Sequence, residues 1–138
     1  MSSRAERFAS EAERLAGAQF RLHGRQPETG LDCVGLVAWS LEKAGGQLTG
    51  LPSYGLRNLS PEPFLQSAQT CGFSDASGAI RRGDLLFVAP GPCQQHLVVA
   101  LGNNRFVHAH AGLRHVAVHS GLPAWQLLAH WRLTNDRE

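Results

Sequence analysis

The sequence predicts an α+β protein, with helices in its first half and a mostly antiparallel sheet in its second half. Before residue 72, apolar residues recur every three or four positions, which is the period of amphipathic helices. After residue 79 they form short runs and alternating patterns separated by glycine, proline and asparagine, which is typical of strands and hairpins. Helices followed by strands indicate the α+β class and not alternating βα units.

Length, charge and cysteine content limit the kind of protein. The chain has 138 residues, a formal net charge of +2 and three cysteines. This length suits one domain with a sizeable core, so we expect a single domain over residues 1–138. Arginines and glutamates alternate near the N-terminus without forming a basic stripe, so nucleic acid is not an expected partner. Neither a signal-peptide pattern nor a run of about 18 apolar residues is seen, so we expect cytoplasmic synthesis, free thiols and no membrane partner.

The first helix is expected over residues 4–16. Ser3 and Glu6 have the spacing of a capping box, in which each side chain accepts a hydrogen bond at the helix start. Apolar residues from Ala5 to Ala16 then share one face, and Gly17 ends the pattern. The opposite, charged face is expected to be solvated.

A second helix is expected over residues 33–44, with Asp32 as its N-cap. Cys33 would lie on the first turn, where free N–H groups and the positive end of the helix dipole favour a thiolate. The Asp32 carboxylate opposes that effect. A small apolar cysteine packed at a helix start is an equally good interpretation of this segment alone.

An irregular connection follows this helix and carries Tyr54, the only tyrosine. Long loops inside a domain are often functional. Pro61 marks the start of a third helix, which Gly72 ends, and Cys71 on its apolar face is expected in the core.

The second half is expected to form successive strands. The turn Arg82-Gly83-Asp84 leads into the first of them, and Gly102-Asn103-Asn104 suits a tight hairpin that requires positive φ. The expected strands cover residues 85–88, 96–101, 105–110, 115–119 and 129–133, with a helical turn over 123–128.

Two histidines are the preferred candidates to act with Cys33. The hairpin would place His96 and His108 toward the same end of two neighbouring strands. A nucleophilic cysteine needs a base and a group that orients the base, and these two side chains would supply both roles. The alternative interpretation is that they are cross-strand neighbours without chemistry, since spacing alone does not decide.

Three of the other histidines and the three tryptophans are expected to have structural roles. A zinc site built from Cys93, His96, Cys33, His108 and His110 is a weaker alternative, because His96 would not serve as both a ligand and a free base. We therefore expect no metal. Three further histidines are expected to be exposed or structurally satisfied, and three tryptophans to be packing anchors: His110, His115, His119, Trp39, Trp125 and Trp131.

Three segments together resemble the NlpC-type cysteine peptidases, which are bacterial cell-wall hydrolases. These segments are Asp-Cys-Val-Gly-Leu-Val at 32–37, Gly-Asp-Leu-Leu-Phe at 83–87 and the stretch from His96 to Ala109. The resemblance implies a reduced papain-like fold, with Cys33 as nucleophile, His96 as general base and His108 as the orienting residue. It further implies that the N–H of Cys33 contributes to an oxyanion hole, that the peptidoglycan peptide is cut between γ-linked D-glutamate and diaminopimelate, and that no cofactor is needed.

Within that family the chain is most similar to phage-tail and gene-transfer-agent peptidases. The similar segments are residues 30–36, Tyr54-Gly55 and Trp131-Arg132. This likeness suggests tail-particle proteins as partners and delivery to the cell wall by such a particle. A non-catalytic tail component that keeps the fold, or a cytosolic thiol hydrolase or transferase on another amide or ester, are the competing hypotheses.

One position departs from the family pattern. Many relatives have a tyrosine upstream of the cysteine, where this chain has Phe20. The hydroxyl is therefore missing unless Tyr54 replaces it. Phe20, His23, Asp32 and Tyr54 are the residues expected on the substrate side of the site.

Overall fold

The computed structural model of the protein describes residues 3–47, 62–91 and 94–133. The helices are α1 (Arg4–Arg14), α2 (Cys33–Lys43) and α3 (Glu62–Thr70). The strands are β1 (Arg25–Gln26), β2 (Gly30–Leu31), β3 (Phe73–Asp75), β4 (Leu85–Ala89), β5 (His96–Gly102), β6 (Arg105–His110), β7 (His115–Ser120) and β8 (Gln126–Leu133). The α+β prediction is confirmed, and the three expected helices begin and end within a few residues of their expected bounds.

Six strands form one sheet in the order β3-β8-β4-β5-β6-β7, and each neighbouring pair is antiparallel. β1 and β2 form a separate antiparallel pair just before α2. The β5–β6 hairpin turns at Asn103 and Asn104, with φ of 53° and 60°, the left-handed conformation expected for a two-residue turn.

The sheet has an apolar layer on each face. The larger core lies between the sheet and helices α1 and α2, and Phe8, Leu36, Leu41, Phe87 and Val99 are among its fully covered side chains. The smaller cluster lies on the other face of the sheet. Its members are Leu86, Val88, Val98, Ala100 and Phe106, with Leu122 and Trp125 packed against them.

The turn before β4 ties the sheet together. Asp84 is fully buried, and its carboxylate accepts from both Nε and Nη2 of Arg132 at 2.8 Å and from the backbone N–H of Arg81 at 2.9 Å. Arg82 reaches in the other direction and pairs with Glu6 and Glu13 of α1. The turn prediction is confirmed.

The segment before β8 differs from its prediction. A helical turn was expected over residues 123–128, but β8 already begins at Gln126, which pairs with Ala89, and Leu127 pairs with Val88. Pairing with β4, a strand distant in the sequence, overrides the local helical pattern of this segment.

Among the described residues, no helix combines the length and the apolar character that crossing a membrane requires.

Candidate active site

Cys33 is the first residue of α2, and its N-cap Asp32 holds the preceding loop against the helix start. Asp32 is 2% exposed. One carboxylate oxygen accepts from the backbone N–H of Gly35 at 2.8 Å and from Nη1 of Arg25 at 3.3 Å. The other accepts from the backbone N–H of His23 at 2.6 Å. The expected N-cap is confirmed, but the carboxylate is occupied by protein groups, which corrects the assignment of Asp32 to the substrate side.

The loop and the helix start approach each other through glycines. A Cβ on Gly35 would run into the carbonyl oxygen of Gly24, and a Cβ on Gly24 would run into the carbonyl oxygen of Gly30. Backbone therefore lies directly on backbone beside Cys33, which only glycine permits. This contact fixes the entry of the chain into α2.

The β5–β6 hairpin brings His96 and His108 into direct contact. Nε2 of His96 lies 2.6 Å from Nδ1 of His108, and the two rings meet edge to face. His108 is 3% exposed, whereas His96, the first residue of β5, is partly exposed. A bulge between Ala100 and Gly102 shifts the hairpin register by one residue, so the two histidines project from the same face of the sheet.

Two further histidines and a tryptophan surround this pair, and sequence reasoning missed them. The ring of His108 lies 5.3 Å from that of His110 and 4.9 Å from that of His119, between centroids. Trp125 meets both His96 and His108 edge-on, at 5.9 and 6.0 Å. His110 and His119 were expected to be structural residues, and the structure also places both rings beside His108. Strand alternation would have found His110, since it lies two residues after His108.

Cys33 meets β5 at the strand's beginning. The backbone N–H of Leu97 hydrogen-bonds to the Cys33 thiol, and Leu97 directly follows His96. The sulfur and the His96–His108 pair therefore lie at the same end of β5. The side chain of Leu97 itself faces the helices, in the larger core.

The Cys33 thiol and the imidazoles of His96 and His108 are uncharged near pH 7. Burial above all raises the pKa of the Cys33 thiol to about 12, with a further contribution from Asp32 and against the backbone N–H groups, which lower it. Burial likewise lowers the pKa of His96 to about 4 and that of His108 to about 3, with smaller contributions from neighbouring histidines. The helix start favours a thiolate, but burial outweighs it and raises the pKa of the Cys33 thiol.

The other predicted site residues lie as follows. Phe20 forms a parallel bridge with Leu31, two residues before Cys33, and its ring packs against the larger core. His23 is exposed, with φ of 63°. Tyr54 lies outside the described residues, so its predicted replacement of the missing hydroxyl stays a prediction.

A metal site was the weaker alternative. Within residues 3–47, 62–91 and 94–133, no group of three or more His, Cys, Asp or Glu side chains is arranged to hold a metal ion. Cys93, which that alternative required, lies outside these ranges. Cys33 and Cys71 are both free thiols, and Cys71 is buried in the larger core as predicted.

A cysteine that begins a helix packed against an antiparallel sheet, at the end where a strand begins with a histidine, is the arrangement of the reduced papain-like fold. The NlpC/P60 family model matches residues 17–132, and the chain belongs to this family. The resemblance noted from the sequence is thereby confirmed.

Two curated relatives are murein enzymes. The chain is 30% identical to the murein DD-endopeptidase MepS/murein LD-carboxypeptidase of Escherichia coli K12, over 80% of this chain and 52% of that protein. It is also 30% identical to the bifunctional muramidase/DL-endopeptidase CwlT of Bacillus subtilis, over 84% of this chain and 32% of that protein. The chain thus spans about half and about a third of these relatives' lengths.

Solved structures agree on the fold. NlpC2 from Trichomonas vaginalis superposes with a TM-score of 0.72 at 16% identity, covering 96% of this chain and 48% of the other. At that identity the likeness concerns the fold alone. The comparisons do not support the expected phage-tail subtype.

Proposed function

We propose that this chain is a cysteine peptidase that hydrolyses amide bonds in the stem peptides of peptidoglycan, with Cys33, His96 and His108 as its catalytic triad. The observation that carries the proposal is the 2.6 Å contact between His96 and His108 at the end of β5 where the N–H of Leu97 reaches the Cys33 thiol. Family membership and the two murein relatives support the substrate class.

The proposed reaction follows from the neutral state of these groups. As the Cys33 sulfur bonds to the carbonyl carbon, its proton passes to Nδ1 of His96, while Nε2 of His96 donates to His108. The backbone N–H of Cys33 donates to the oxyanion. His96 then gives the proton to the leaving amine as the C–N bond breaks. Water attacks the thioester, His96 takes its proton and returns it to sulfur, and the acid is released.

The scissile bond is the finer part of the proposal. We propose the bond between γ-D-glutamate and diaminopimelate. The two relatives carry different bond specificities in their names, DD and LD for one and DL for the other, so a defined substrate is required. Digestion of purified muropeptides that contain either this bond or a D,D cross-link, followed by mass spectrometry, would show which of the two bonds is cut.

Digestion of purified sacculi tests the proposal as a whole. Wild type is expected to release soluble muropeptides, and Cys33→Ala to release none. Cys71→Ala is the matched control, because it removes a free thiol that is buried in the larger core and has no role in the proposed reaction. If neither wild type nor Cys33→Ala releases muropeptides, and both proteins unfold at the same midpoint, the peptidase proposal is wrong.

A second candidate is a non-catalytic component that keeps the fold. Two observations favour it: Phe20 lacks the hydroxyl of many relatives, and burial raises the pKa of Cys33 to about 12. The sacculus experiment separates the two candidates. Delivery of the chain by a phage or tail-like particle stays a prediction from the sequence.

A further inference from the structure

His119 lies against the proposed triad without a role in it. It pairs with Phe106 in the β6–β7 register, and its ring lies 4.9 Å from that of His108. The hydrogen-bonded rings of His96 and His108 are 4.8 Å apart. The ring centroids of the two pairs are thus about equally far apart, but only His96 and His108 have nitrogens within hydrogen-bond distance of each other.

The Nε2 atom of His119 is buried and has no hydrogen-bond partner in the part of the chain that the structure describes. A buried nitrogen left unsatisfied costs roughly 1–3 kcal/mol. Such groups are uncommon in folded proteins and call for an explanation. A small shift of a neighbouring histidine ring that brings one of its nitrogens within hydrogen-bond distance would provide one.

The proposed reaction requires a proton on a particular nitrogen of His108, and that proton needs a hydrogen-bond acceptor. His96 takes the thiol proton on Nδ1, so its own proton must first reside on Nε2 and point to Nδ1 of His108. Neutral His108 then carries its proton on Nε2. Because His108 is 3% exposed, an acceptor for that proton inside the protein is favoured over bulk water.

His110 is the other ring beside His108, and its hydrogen bonding makes it a poor acceptor. Its Nδ1 already accepts from the backbone N–H of Leu113 at 3.1 Å. The remaining nitrogen of a neutral His110 therefore carries the proton and donates. His119 is left with an unused buried nitrogen.

We propose that His119 is a positioning residue, whose Nε2 accepts a hydrogen bond from Nε2–H of His108 and so keeps His108 in the tautomer that accepts from His96. The chain of bonds runs from His96 through His108 to His119. It favours a free Nδ1 on His96 and stabilises the positive charge that His96 gains when it takes the thiol proton. This inference rests on the proposed function for its catalytic meaning, but its structural content is independent of any substrate.

The tautomers test the structural content directly. Imidazole nitrogen NMR of the wild-type chain is expected to show the His108 proton on Nε2 and the His119 proton on Nδ1 at neutral pH. A proton on Nδ1 of His108 would overturn the proposal, whatever the activity of the protein.

Variants of His119 test the role in catalysis. His119→Gln keeps an amide oxygen that accepts a hydrogen bond, whereas His119→Leu removes the acceptor. We expect His119→Leu to lower kcat on muropeptides about fivefold to tenfold, the equivalent of one neutral hydrogen bond, with KM unchanged and the lower limb of the pH profile displaced. His119→Gln should recover most of the loss.

The control is a variant of another histidine on β7. In His115→Gln, a histidine of β7 whose Nδ1 contacts the carbonyl of Leu113 is replaced, and kcat should not change. Equal loss in His119→Gln and His119→Leu, at wild-type unfolding midpoints, would overturn the hydrogen-bonding role. Inert wild-type protein with the expected tautomers would instead overturn the proposed function and leave the inferred contact intact.

Discussion

Nε2 of His96 and Nδ1 of His108 are 2.6 Å apart, across a hairpin that the chain closes with only two residues. The contact joins the first residue of β5 to a residue of β6 that is nearly inaccessible to solvent. One ring must donate and the other accept, so the protonation of each histidine determines that of the other. The two side chains should therefore behave as one unit.

The first prediction concerns that unit. His96→Ala should lower kcat by about 10²- to 10⁴-fold, the usual contribution of a general base. His108→Ala should cost less, about 10- to 100-fold, because His96 keeps its base function but loses its orientation. The double variant should be no slower than His96→Ala alone, since groups that act together are not additive. Losses that multiply in the double variant would show that the two histidines act separately.

The second prediction concerns the Cys33 thiol. Because burial raises its pKa to about 12, its rate of alkylation by iodoacetamide should rise with pH up to about pH 9 without a plateau. Asp32→Asn removes a nearby negative charge and should lower the pKa, by on the order of one unit or less. Peptide mapping by mass spectrometry would separate Cys33 from the other thiols. A plateau below neutral pH would indicate a thiolate–imidazolium pair instead.

The local features of this site could be predicted from the sequence. Asp32 before an apolar helical stripe predicts the N-cap of α2, and Asn103-Asn104 between two apolar strands predicts the β5–β6 hairpin. Both depend on neighbouring residues in the chain, where backbone conformation and short-range hydrogen bonding decide. The bulge that places His96 and His108 on the same face was not predicted.

The features that were missed depend on contacts between distant segments. The raised pKa of Cys33 follows from burial against β5, which the helix start does not reveal. The position of His119 beside His108 depends on the β6–β7 register. The contacts of Trp125 with His96 and His108 likewise join distant segments. In the same way, β8 begins at Gln126 because β4 is available there as a partner. The conformational propensities of neighbouring residues do not predict these pairings between distant segments.

The third prediction is a loss of stability in acid. In the unfolded chain His96 and His108 titrate near their ordinary pKa of 6.5, whereas in the folded protein their pKa values lie near 4 and 3. Between these limits the unfolded chain binds more protons, so the free energy of unfolding rises with pH. The contribution is complete above about pH 6.5 and is lost as the pH falls through the folded values.

Urea unfolding at a series of pH values would measure this dependence. The His96→Gln/His108→Gln double variant should show a flatter curve across that window, and His115→Gln should keep the wild-type slope. An unchanged slope in the double variant would mean that other groups cause the acid sensitivity.

The fourth prediction compares two helix N-caps. Asp32→Ala leaves the buried N–H of Gly35 and the N–H of His23 without this acceptor and should lower the free energy of unfolding by about 2–4 kcal/mol. Ser3→Ala removes the exposed cap of α1, a single bond to the N–H of Glu6, and should cost about 0.5–1 kcal/mol. Chemical denaturation would measure both. Equal losses would show that Asp32 is only a cap and does not hold the loop.

The fifth prediction concerns the backbone contact beside Cys33. Replacing a helical glycine by alanine normally stabilises a helix by about 1 kcal/mol, because the unfolded chain loses freedom. At Gly35 the new Cβ would run into the carbonyl oxygen of Gly24, so we expect Gly35→Ala to destabilise the protein by about 1–3 kcal/mol instead. Glu42→Ala, at an exposed position of the same helix, should stay within about 0.5 kcal/mol of wild type. The sign of the Gly35→Ala effect in urea unfolding is decisive: stabilisation would mean that the loop is not packed on the helix start, and Asp32 would then be the sole link between them.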